Sequence, residues 1–82
     1  MVGTTRSPRA VHSGRYKLML KKLREARRSA GLTQVAVAKL LGRKQAWVSK
    51  CELGERRIDP LDLHDFARVY RKPVGYFLPP SK

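Results

Sequence analysis

Three glycines, Gly31, Gly42 and Gly54, divide the middle of this chain into segments too short for anything except small helices. Glycine adopts a left-handed backbone at little steric cost, which is what the residue closing a helix needs. Between these stops the apolar residues recur at three- and four-residue intervals, the period of a helix face, and nowhere alternate for long as in a strand. Thr33 stands where an N-cap would start Gln34–Leu41, whose apolar stripe is Val37, Ala38 and Leu41. The third residue after Thr33 is Ala36, so the reciprocal capping box is incomplete. Gln45–Leu53 resumes the helical spacing, with Val48 and either Cys51 or Glu52 on its inner side.

Upstream, Tyr16, Met19, Leu20, Leu23, Ala26 and Ala30 keep the same spacing. They predict a helix that begins between Gly14 and Tyr16 and stops at Gly31, leaving Lys21, Lys22, Arg24 and Arg28 for solvent. Downstream, Asp59 followed by Pro60 is the strongest helix start in the chain. The acid caps, and proline at the first helical position has a suitable φ and lacks only an N–H that would be unpaired there. Asp62 falls in the positive first turn. Leu61, Leu63, Phe66, Ala67 and Tyr70 are expected to cover a core face as far as about Arg71, and Pro73 interrupts the helix. Residues 74–78 read as a last short apolar turn before Pro79 and Pro80. The expectation is an all-α, compact four- to five-helix domain over residues 15–78, with a flexible basic arm at 1–14 and a tail at 79–82. A chain of 82 residues holds one such domain, near the size at which a single core becomes marginal.

Charge narrows the function. Nineteen Lys and Arg against six Asp and Glu give a net charge of +13, and Glu25 is the only acid before Cys51. A field of that sign attracts a polyanion and supplies sequence-independent affinity through counterion release. The rival reading is a basic helix lying on a membrane surface. No apolar run approaches the roughly 18 residues of a spanning helix, and residues 1–15 lack the apolar stretch of a secretory signal. Cys51, the single cysteine, excludes an internal disulfide and fits a reducing cytoplasm. His12 and His64 are far apart, and neither metal-ligand spacing nor a phosphate-cradling glycine loop occurs, so neither catalysis nor a cofactor is expected.

The stretch that carries function contains Gln34, Ala38, Gly42, Gln45, Val48, Glu52 and Gly54. Two short helices must cross closely through a tight turn, so that the second is free to enter a major groove. Ala38 is small where they approach, and Gly42 allows the turn. Val48 anchors the second helix, whose other face carries Lys44, Gln45, Trp47 and Lys50. In that register the chain resembles the helix-turn-helix family of phage Cro and repressor proteins, also called Xre. The likeness runs over about residues 20–78.

The resemblance implies a lambda-repressor-like fold and a sequence-specific reader of double-stranded DNA. It implies a transcriptional regulator, most often a repressor, working as a homodimer on a two-fold operator in a bacterial or phage-infected cytoplasm. By position, Gln34 opens the first motif helix and is expected to touch a phosphate with its side chain or its backbone N–H. Gln45 opens the recognition helix and is expected to read adenine, the alternative being an exposed cap or a phosphate contact. Arg43 and Lys44 are expected to hold phosphates, and Ser49 and Lys50 to reach a base or a phosphate. Arg27 and Glu52 are expected to form a partly buried structural ion pair.

Some residues depart from the pattern. Ala46 offers a base nothing except room for a thymine methyl. Trp47 is bulky where relatives are small or polar, and either packs on DNA or enters the core. Cys51 stands at an apolar position, as a buried thiol or a redox sensor. Arg6 and Arg9 are placed to enter an adjacent minor groove. Residues 74–78 are expected to form the self-association surface, to fold back as a lid on the core, or both. The same fold also serves antitoxins and bridging adaptors that bind a protein partner.

Overall fold

Local chemistry visible in the sequence sets most of the helix ends. The structure is a computed structural model and describes residues 13–80. The expectations placed on Arg6 and Arg9 of the basic arm lie outside the described residues. Among those described, four α-helices and a short 3₁₀ turn form the whole regular structure: α1 (Gly14–Ser29), α2 (Gln34–Leu41), α3 (Gln45–Leu53), α4 (Pro60–Tyr70) and the 3₁₀ turn Val74–Tyr76. Ser13 starts α1, its hydroxyl accepting from Tyr16 N at 3.1 Å. Thr33 does the same for α2, accepting from Ala36 N at 3.0 Å. Asp59 and Asp62 complete a reciprocal capping box at α4, with Asp62 N donating to Asp59 at 2.8 Å. Gly42 and Gly54 close α2 and α3 with φ of 68° and 80°, the left-handed backbone their positions require. Arg71 adopts φ 59° to end α4, the sole non-glycine among the described residues to do so.

The helices enclose one core. Leu20, Leu23 and Ala26 of α1 meet Val37 and Ala38 of α2, Val48 and Cys51 of α3, and Leu63, Phe66, Ala67 and Tyr70 of α4. The loop before α4 is tied to α1, because Ile58 N donates to the Tyr16 hydroxyl at 3.0 Å. Leu61, expected on the core face, is 76% exposed instead. Two residues before Leu63 on a helix lies about 200° around the axis, nearly opposite the buried stripe. The C-terminal turn folds back: Phe77 is fully buried, whereas Leu78 is 46% exposed and Val74 and Tyr76 are half-buried. Burying a phenylalanine side chain contributes roughly 1.5–3 kcal/mol toward holding this segment on the core.

Cys51 is fully buried, and burial pushes its thiol up to about 11, so it remains protonated at neutral pH. Burial likewise raises the Tyr70 phenol, whose hydroxyl has no hydrogen-bond partner among the described residues. An unpaired buried hydroxyl costs about 1–3 kcal/mol of desolvation that its deletion returns. Tyr70→Phe is therefore expected to leave stability unchanged or raise it by about 1 kcal/mol. A urea midpoint that moves upward or stays put at constant m checks this, and a clear fall would show that the hydroxyl is paired.

Candidate nucleic-acid interface

The end of α3 is organised around one buried carboxylate. Glu52, in the last turn of α3, is 3% exposed and lies against α1. Arg27 donates to both its oxygens, Nε to Oε2 at 2.7 Å and Nη2 to Oε1 at 3.2 Å, and its remaining Nη1 donates to the Leu32 carbonyl at 3.1 Å. Fork-on-carboxylate geometry of this kind is both strong and directional. The hydrogen bond to Glu52 is the main reason the Arg27 guanidinium titrates above its usual range, so it stays charged wherever the domain is folded. Arg24, one helical turn earlier, donates from Nη1 to the Glu52 carbonyl at 3.1 Å. Thus α1 holds the end of α3 by both its side chain and its backbone.

From that carboxylate a chain of hydrogen bonds leads to the surface. Gln34 Nε2 donates to Glu52 Oε1 at 2.9 Å, and Gln45 Nε2 donates to Gln34 Oε1 at 2.7 Å. An ionised carboxylate only accepts, so Gln34 must turn its amide nitrogen inward and its oxygen outward. Gln45 then has to present nitrogen to Gln34. Its own oxygen and second N–H remain for something outside. The buried pair therefore sets the orientation of an exposed amide at the start of α3.

The remaining expected residues fall on or beside that helix. Lys44 is the N-cap residue of α3, exposed and without a side-chain capping bond. Gln45, Ala46 and Lys50 are exposed, and Ser49 is half-buried. Arg43 is 45% exposed, with Nη2 at 3.6 Å from Asp62 Oδ1. Trp47 is half-buried, its ring stacked on Phe66 at 5.7 Å with an interplanar angle of 14°. The Arg43 guanidinium lies over that ring at 4.3 Å, and that of Arg56 at 5.8 Å. The indole Nε1 is buried without a partner among the described residues.

Arg24, expected to face solvent, is half-buried because it bonds the Glu52 carbonyl, and neither Arg56 nor the inward bond of the Gln34 side chain is legible from spacing. Arg24 stands three residues before Arg27, on one face of α1, and that spacing was the available signal. Nothing in the sequence linked Arg56 to Trp47.

Residues 20–74 match the model of a helix-turn-helix domain family. The chain is a helix-turn-helix domain of the Xre family. It is 40% identical to an Xre-family-like protein from Pseudomonas syringae pv. tomato str. DC3000, over 84% of both chains, with a TM-score of 0.76. The DNA-binding domain of BldD is 34% identical over 84% of this chain and all (100%) of that one, with a TM-score of 0.73. FeII HppE, crystallised with substrate, is 25% identical over 80% of this chain at a TM-score of 0.72, but the match spans 38% of that protein. No curated protein sequence matches the chain. Among the described residues of this helix-turn-helix domain no three His, Cys, Asp or Glu side chains group to hold a metal, and no helix is long and apolar enough to cross a membrane.

Proposed function

We propose that this domain reads the major groove of double-stranded DNA in a sequence-specific way with α3, and acts as a transcriptional regulator, most naturally a repressor. The observation that carries this reading is the pinned amide of Gln45. With one N–H engaged by Gln34, it offers an acceptor and a donor side by side. Adenine presents the complementary pair in the major groove, the N6 amino donor and the N7 acceptor. The family supports DNA as the ligand, and the +13 charge supports affinity for a polyanion. Arg43, Lys44 and Lys50 are the cations assigned to this interface, with Ser49 reaching a base or phosphate and the backbone N–H of Gln34 meeting a phosphate at the α2 N-terminus. Two copies on a two-fold site complete the reading, with the exposed Leu78 and half-buried Val74 as the apolar surface available for their contact.

The test is Gln45→Ala. It is expected to lose about 1–3 kcal/mol of discrimination at one position in each half-site, with affinity for random duplex hardly changed. Competition binding against a panel of single-base variants reads this directly. An unchanged preference at every position would remove Gln45 from base reading.

A further inference from the structure

Trp47 is the least expected residue of α3, and its surroundings explain it. Phe66, fully buried, stacks on the indole with ring centroids 5.7 Å apart. The Arg43 guanidinium, at the surface, lies over the same ring at 4.3 Å, and that of Arg56 at 5.8 Å. A ring engaged by a core phenylalanine and by guanidiniums is already partnered within the protein. What it offers instead is a flat support, on which a guanidinium stacks through the ring quadrupole. Asp62 holds the same guanidinium from the side, at 3.6 Å. The fork of Arg43 is thus fixed in two directions before any ligand arrives.

Around it lies a cleft of about 380 Å³ whose lining includes Arg43, Lys44, Ala46, Trp47, Lys50 and Arg56. Its four cations come from the α2–α3 turn, from α3 and from the loop after α3, and that loop is folded back by Arg56 N donating to the Lys50 carbonyl at 3.2 Å. Planar, pre-oriented arginine forks suit the tetrahedral oxygens of a phosphate better than a mobile ammonium does. We propose that this cleft seats a phosphodiester of duplex DNA, that Arg43 and Arg56 are its arginine ligands, and that Trp47 is a positioning residue that touches Arg43 and not the DNA. The proposal rests on the duplex-DNA reading and adds to it a role for Arg56 and a reassigned role for Trp47.

The experiment compares the full chain with Arg56→Ala, Arg43→Lys and, as a control outside the cleft, Arg28→Ala, all checked for folding by circular dichroism. Binding to a mixed-sequence duplex is followed across a salt series, together with the emission of Trp47, the only tryptophan in the chain. Arg56→Ala is expected to flatten the slope of log K against log salt by about one unit, the effect of losing one phosphate contact. Arg43→Lys keeps the charge and therefore most of the slope, but is expected to weaken binding severalfold and to shift Trp47 emission in the free protein. Arg28→Ala is expected to do less than either. The seat is overturned if Arg56→Ala keeps the parental slope and affinity, or if Arg43→Lys binds like the parent. It is also overturned if inorganic phosphate, at matched ionic strength, moves Trp47 emission while duplex DNA does not. A parental slope near zero on duplex DNA would instead overturn the reading beneath it.

Discussion

Replacing Glu52 by alanine is expected to cost about 3–5 kcal/mol, most of what a domain of this size has to lose. The carboxylate is almost wholly buried and receives two hydrogen bonds from Arg27 and one from Gln34. Removing it strands a partly buried guanidinium that cannot give up its proton, and leaves the Gln34 amide without its inner acceptor. Breaking one side of a buried pair is costly for this reason, whereas exchanging both sides for apolar groups is often tolerated. The double change Arg27→Met with Glu52→Leu is therefore expected to unfold at a urea midpoint much closer to that of the parent. It is nonetheless expected to discriminate poorly between DNA sequences, because nothing would then fix Gln34 and, through it, Gln45. Urea unfolding of the single and double variants, followed by circular dichroism, separates the two effects. A loss below about 1 kcal/mol in Glu52→Ala would place the pair among ordinary surface ion pairs.

The second large effect concerns salt. With a net charge of +13 and cations gathered along α3 and its flanking turns, binding to duplex DNA should be dominated by counterion release. The slope of log K against log salt is expected near −0.9 for each phosphate contacted, so that about six to ten contacts would lower affinity by roughly 10³–10⁵ between about 50 and 200 mM salt. Lys44→Ala should flatten that slope and weaken every sequence alike, unlike Gln45→Ala. Fluorescence anisotropy of a labelled duplex over a salt series measures both. A flat response would mean that the charge serves solubility alone.

What the sequence made legible was local chemistry. Gly31, Gly42 and Gly54 end helices because their backbone must turn left-handed, and Thr33 and Asp59 begin them because their oxygens meet the first free N–H groups; Ser13, which caps α1, is not distinguishable by spacing from the polar arm before it. Such devices act over three or four residues, so a linear reading finds them. Leu61 was assigned inward because it is apolar, but its angular position on α4, fixed by Leu63, Phe66 and Tyr70, outweighs its hydrophobicity. For Phe77 the reading left lid and exposed patch open. Its complete burial beside Tyr70, with ring centroids 6.5 Å apart, decides for the lid.

The site was legible to a different depth. Arg27 and Glu52 came from resemblance, since no periodicity joins residues 25 positions apart. Of the two phosphate contacts expected of Gln34, by side chain or by backbone N–H, the side chain is instead engaged between Glu52 and Gln45. Spacing places an amide at a helix start but says nothing of which neighbour it will choose. Arg56 and Trp47 depend on the path of the loop after α3, which returns beside that helix through bonds to the Lys50 carbonyl. Loop paths of this kind follow from packing and not from pattern.

The most direct measurement of the central claim is selection of bound duplexes from a random library by the full chain at physiological salt. The account expects one enriched motif with two related halves, their centres about 34 Å apart along the helix, and an adenine at the position that Gln45→Ala relaxes. Recovery of a library as random as the input, by a protein that still binds DNA, would contradict sequence-specific reading and favour a domain whose specific contacts are with a protein.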